Sequence, residues 1–356
     1  MTIASLAVPG IALLCVAIAG VAQTSQVPKQ QASSMAQQLE IVKTVSTSST
    51  DYVFEAPILC DDSSNIYLKS REEGVAAIHK FNPAGERVAS FVAGTCPDIK
   101  VQIAGSFFVA PDGRVSQAVV SPNDPQTSIL VFKDDGTCHS RIKLDTSFSF
   151  QPYQLAVLPS GAMLISGLRW SARDKAYLPF LGLFSASGTV LKEVDLSDES
   201  SLEEPSPGMP ALPATSDRSR PDPSVARGDM QLGADGNAYL MRWGSPAEIF
   251  AISQGGVVVR RFTIESGDPG LRPVQMHAGG HRIAVLFLDS NPENRRTLLK
   301  VVDLHGNPVA EYTHVLGDAG AALLQPFACY SENPERFSFL HTPKDGKMAI
   351  EIAEPR

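Results

Sequence analysis

Between Phe107 and Leu144 the chain alternates four short apolar runs with polar turns. Phe107-Phe108-Val109-Ala110 is followed by Pro111-Asp112-Gly113 and a run from Arg114 to Val120. After a polar loop come Ile129-Leu130-Val131-Phe132, the turn Asp134-Asp135-Gly136, and Ile142-Lys143-Leu144. The runs are rich in β-branched and aromatic residues and short, and the turns carry residues that accept or preset positive φ. This pattern predicts one four-stranded antiparallel sheet.

The pattern recurs. First turns fall at Asn65, Gly113, Gly161, Gly236 and Gly280, and second turns at Gly85, Gly136, Gly188, Gly256 and Gly306. The spacing is about 50 residues, a blade-length repeat, except for one longer step between Gly188 and Gly256. That step is explained by an insertion, Ser197 to Gly228, dense in Pro, Ser, Asp and Glu, which reads as an exposed loop. A sixth unit has only three strands: Phe327 to Tyr330, Phe337 to Leu340 and Met348 to Ile352. An orphan run, Ile41 to Val45, stands before the first unit. Joined to the sixth, it supplies the fourth strand, and a ring closed by mixing the two termini leaves no unpaired edge between first and last sheet.

Repeats of apolar strand, Asp-Gly turn, strand, loop, strand, Asp-Gly turn and strand resemble a six-bladed β-propeller. The pattern is similar to the NHL and TolB-like propellers of exported bacterial proteins. It covers about Ile41 to Ile352 and is carried by Pro111-Asp112-Gly113, Ala234-Asp235-Gly236 and Asp134-Asp135-Gly136. No recurring Trp-Asp or Gly-Gly kelch signature is present. The resemblance implies four-stranded antiparallel blades round a channel lined by the innermost strands. A pair of β-sandwiches is the rival arrangement.

Composition narrows the setting. Hydrophobic residues make up 43% and charged residues 19% of the 356, normal for a folded protein with a sizeable core. The net charge of −8 and the lack of any long basic run argue against a nucleic-acid surface. Met1 to Ala22 is uncharged and apolar and ends in small residues, which reads as an export signal cut after Ala22 or, uncleaved, as a membrane anchor. Gln23 to Gln38 reads as a flexible leader and 39–356 as the folded domain. The expected location is therefore secreted or periplasmic, and the expected state a monomer. Cys60, Cys96, Cys138 and Cys329 suit two disulfides, in any of three pairings.

Candidate chemistry is sparse. Four polar residues precede Pro at the starts of innermost strands: Glu55, Gln151, Arg272 and Gln325, which would ring the channel mouth. Two Arg-Trp pairs, Arg169-Trp170 and Arg242-Trp243, follow the second strands of units three and four. An indole with a guanidinium beside it suits a sugar, an aromatic group or an anion. Glu55-Ala56-Pro57 is similar to the Glu-Gly-Pro that opens calcium-dependent lactonases, which implies Glu55 as a calcium ligand there. No nucleophile elbow, phosphate loop or zinc motif is present, and His277 and His281 lie across a Gly-rich turn. The sequence thus predicts a cofactor-free binding module for a protein, peptide or glycan. The alternative is a calcium-dependent, lactonase-like hydrolase or lyase.

Overall fold

The computed structural model describes residues 36–47, 54–72, 75–101, 103–121, 124–196, 229–242, 244–289, 296–315, 327–341 and 348–356. The expected export signal, most of the leader, the 197–228 insertion, Trp243 and Gln325 lie outside these residues.

The chain enters through β1 (Gln37–Ser46). Four consecutive four-stranded sheets follow. The first holds β2 (Phe54–Cys60), β3 (Ile66–Glu72), β4 (Val75–Phe81) and β5 (Arg87–Val92), and the second β6 (Ile103–Val109), β7 (Val115–Ser121), β8 (Asp124–Phe132) and β9 (Cys138–Lys143). The third holds β10 (Phe150–Val157), β11 (Met163–Ser171), β12 (Ala176–Phe184) and β13 (Val190–Glu193). The fourth holds β14 (Asp229–Leu232), β15 (Ala238–Arg242), β16 (Ala247–Ile252) and β17 (Val258–Ile264). Then come β18 (Leu271–Gly279), β19 (Arg282–Asp289), β20 (Arg296–Asp303) and β21 (Pro308–Val315), and finally β22 (Phe327–Glu332), β23 (Glu335–His341) and β24 (Ala349–Pro355).

Six separate sheets are expected from the repeat; the last seven strands and β1 instead form one eight-stranded sheet, in the order β18-β19-β20-β21-β1-β24-β23-β22. The cause is β1, which is paired on both edges. It runs antiparallel to β24 from Leu39↔Pro355 to Ser46↔Ala349. Its first residues also pair parallel with β21, but only at Gln37↔Tyr312 and Gln38↔Thr313. The first strands of the repeats meet in a closed circuit: β2 against β6, β6 against β10, β10 against β14, β14 against β18, β18 against β22, and β22 against β2. The arrangement is all-β and propeller-like.

Local sequence explains the turns. Asp61 Oδ1 accepts the Ser63 and Asn65 amides at 3.0 and 2.9 Å, and Asp303 Oδ1 accepts those of His305 and Asn307 at 2.8 and 2.9 Å. These side chains replace the backbone partners that a tight turn leaves out. Gly136 is required for two reasons. Its φ is +88°, and a Cβ there would collide with the Ser90 carbonyl of β5, so the turn packs edge-on against the preceding sheet. Gly85 sits in the same way against Ser46 of β1, which places β1 as the sheet edge preceding β2.

Packing between sheets forms the core. The middle strands are covered on both faces, so they read as continuous apolar runs rather than alternations; Met163 to Gly167 of β11 and Ala238 to Met241 of β15 are wholly buried. The first strands have one free edge, toward the channel, and side chains of the preceding sheet satisfy part of it. Gln231 of β14 donates to Met276 O at 2.9 Å and accepts from Ala278 N at 2.8 Å. Gln275 of β18 repeats the device on Phe327 O and N at 2.6 and 2.8 Å, and Lys69 Nζ caps Ala104 O and Gly105 O, each at 3.1 Å. Of the three disulfide pairings left open by the sequence, the structure has Cys60–Cys329, joining β2 to β22, and Cys96–Cys138.

Candidate ligand-binding surfaces

The closing residues of β2, β6, β14 and β18 line one pocket, so the circuit of first strands has a trailing end, where they finish, and a leading end, where they begin. Gln151 and Arg272 lie one residue inside the starts of β10 and β18 and are exposed at the leading end. The prolines after them do not open the strands, as expected from sequence, but occupy third positions. Pro152 and Pro273 pair with Gly167 and Phe287 immediately before a register shift. A proline fits there because the missing N–H faces the channel edge and the ladder is already broken by the bulge. Glu55 pairs through its backbone with Lys69; its side chain lies outside the described residues.

Arg169 and Trp170 do not act as a pair, and Trp243 lies outside the described residues. Successive strand residues point to opposite faces. Arg169 therefore turns away from Trp170, donating to Glu193 Oε2 at 2.6 Å and lying over the Phe148 and Phe180 rings at 5.9 and 5.3 Å. Arg242 is likewise engaged by its cross-strand partner Glu248 at 3.2 Å. Trp170 instead meets Tyr177, its register partner across the β11–β12 hairpin, with ring centroids 5.1 Å apart in an edge-to-face arrangement. Both are well exposed, at 40% and 41%, and the bulged Tyr153 is exposed at 39%. Tyr177 was legible in principle: counting back through the hairpin turn sets it opposite Trp170.

The hairpin tip adds charge. Arg173 and Lys175 are exposed and have no ion pair among the described residues, whereas Asp174 accepts from Ser171 Oγ at 2.7 Å. Deeper in the channel the polar groups are occupied. Asp229 Oδ2 accepts from Met276 N at 2.7 Å, and burial nevertheless pushes its carboxyl up to about 7. His277 is held by Phe327 O at 3.0 Å and faces Gln231 at 3.2 Å, and burial lowers it to about 4, so it is neutral. His281 is exposed in the following turn, apart from it. Among the described residues no three His, Cys, Asp or Glu side chains are grouped to hold a metal ion.

At the trailing end lies an open pocket of about 90 Å³, walled by the last residues of β2 and β6 together with β14 and β18. Nothing in the sequence marked it, because it is assembled from strand ends that are far apart in the chain.

No family model and no curated protein matches the chain. Among solved structures, a Bacteroides fragilis protein named as a candidate exported protein is similar over 89% of this chain and 95% of its own. The identity is 8% and the TM-score 0.50. The PQQ-bound aldose sugar dehydrogenase of Streptomyces coelicolor matches over 90% and 98%, at 12% identity and a TM-score of 0.47. A protein of unknown function from Bacteroides caccae matches over 74% and 83%, at 13% identity and 0.46. The Bacteroides fragilis likeness extends to the fold alone. With the sheet order it defines the class: an all-β protein of propeller-like arrangement.

Proposed function

We propose that the chain is an exported, six-bladed propeller that works as a monomeric binding module of the NHL or TolB-like kind. The six-blade count is supported by the closed circuit of first strands and by the slightness of the two-residue joint between β1 and β21, which divides the eight-stranded sheet into two blades of four. Export is supported by two disulfides, which persist in oxidising compartments. Among the described residues no helix is long and apolar enough to cross a membrane.

The observation that carries the binding role is the exposed Trp170–Tyr177 pair at the leading end, flanked by Arg173 and Lys175. Aromatic faces left in water beside unpaired donors suit a glycan laid across the hairpin, its rings stacking and its hydroxyl or acidic groups meeting the cations. A glycan array probed with the disulfide-bonded chain tests this. Trp170→Ala with Tyr177→Ala should weaken the best hit by about tenfold or more, equivalent to about 1.4 kcal/mol. Undiminished binding by the folded double variant refutes the assignment, and hits confined to peptides would move the ligand class to peptide.

A further inference from the structure

The trailing-end pocket is separate from the Trp170–Tyr177 hairpin, and its chemistry differs. Leu59, Phe108, Met230 and Leu232 make an apolar floor. One wall is fixed by Cys60, tied through its disulfide to β22. The rim carries Asp61 and Asp62. Asp61 is committed to its own turn: it accepts from Asn65 Nδ2 at 2.8 Å and Tyr67 OH at 2.9 Å, and Lys80 Nζ stands 3.9 Å away. Asp62 is exposed, with no hydrogen bond or ion pair among the described residues.

Neighbouring charge does not cancel it. Asp112, next to the lining residue Pro111, is neutralised by Arg114 at 2.7 Å, and Lys80 is shared between Asp61 and the Tyr67 ring, 5.6 Å from its centroid. Asp134 adds to the negative field felt at Tyr67. An apolar floor beneath a net negative rim disfavours anions and wastes the floor on small hydrated cations. We infer that this pocket binds a small organic cation with an apolar body, of the arylalkylammonium class, with its ring on Phe108 and Met230 and its ammonium toward Asp62.

Calorimetric titration of the full oxidised chain with 2-phenylethylammonium, 2-phenylethanol and 3-phenylpropionate tests the charge and the floor separately. The cation should bind about fivefold more tightly than the neutral analogue, the scale of one partly exposed ion pair, and the carboxylate most weakly. Asp62→Asn should bring cation and alcohol to the same affinity, and raised salt should do so partially. Leu232→Trp, which places bulk in the cavity from a half-buried position, should abolish binding of all three. Absence of binding, equal affinity for all three in the wild type, or unchanged binding by a Leu232→Trp variant with a native circular dichroism spectrum overturns the proposal.

Discussion

The Cys60–Cys329 disulfide spans 269 residues and ties the first strand circuit shut, whereas Cys96–Cys138 spans 42. If a disulfide acts by restricting the unfolded chain, the loop lengths set its worth. The chain-entropy relation gives about 5.6 kcal/mol for the long loop and about 3.9 kcal/mol for the short one at 25 °C. The short loop is nested in the long one, which lowers the first figure by only about 0.2 kcal/mol because the dependence is logarithmic. Removing Cys60–Cys329 should therefore cost about 1.5 kcal/mol more than removing Cys96–Cys138. Double Cys→Ala variants of each pair, unfolded in urea and compared at equal m-value, measure this difference. By calorimetry, at about 2.1 cal/mol/K of unfolding entropy per residue over about 320 residues, it corresponds to about 2 °C in Tm. Equal losses, or a greater loss for Cys96–Cys138, would refute chain entropy as the main source of the stabilisation and leave local packing round Cys96, which is 5% exposed, as the cause.

Other substitutions read single contacts. Gln275→Leu leaves Phe327 N without its amide partner and Phe327 O with His277 alone, and should cost roughly 1–3 kcal/mol in urea unfolding, whereas the exposed Gln151→Ala should stay within about 0.5 kcal/mol. Asp229 has a folded-state pKa raised to about 7, above its unfolded 3.8, so the wild type loses stability as pH rises through that interval. Asp229→Asn keeps an acceptor for Met276 N–H and should match the wild type near pH 4 but exceed it at pH 8, by up to about 4 kcal/mol; identical pH profiles would count against a buried, charge-averse carboxyl. His277 and His314 are both lowered to about 4, so their contribution runs the other way, being present above pH 6.5 and lost as pH falls toward 4. Calcium at about 100 times the dissociation constant of a real site would raise stability by about 2.7 kcal/mol. The binding-module reading expects no shift in a melt with calcium against chelator, and a shift abolished by Glu55→Ala would move the assignment to a calcium-assisted hydrolase.

The repeats from β2 to β21 were legible because each carries its own local code: an apolar run, an Asp, Asn or Ser that caps a turn, and a glycine with positive φ. The pairing of Ile41 to Val45 with the last strand followed from counting strands, and β1 does run against β24 from Leu39 to Ser46. Its second, parallel pairing with β21 was not legible, since two residues of contact at Gln37 and Gln38 leave no periodicity in the sequence. Surfaces were less legible than sheets for a related reason. Adjacency in sequence suggested Arg169 with Trp170, but a strand sends neighbours to opposite faces, so adjacency in sequence is separation in space; the partner of Trp170 is seven residues away, at Tyr177. Both arginines are instead consumed inside their own sheets by Glu193 and Glu248. The trailing pocket lies further still from sequence reach, because Leu59, Phe108 and Met230 come from three repeats and share no motif. A repeat fold writes its scaffold in every unit. Its binding surfaces depend on departures from the repeat, such as an unpaired Asp62 or an exposed Trp170, which stand out only once the units are set side by side.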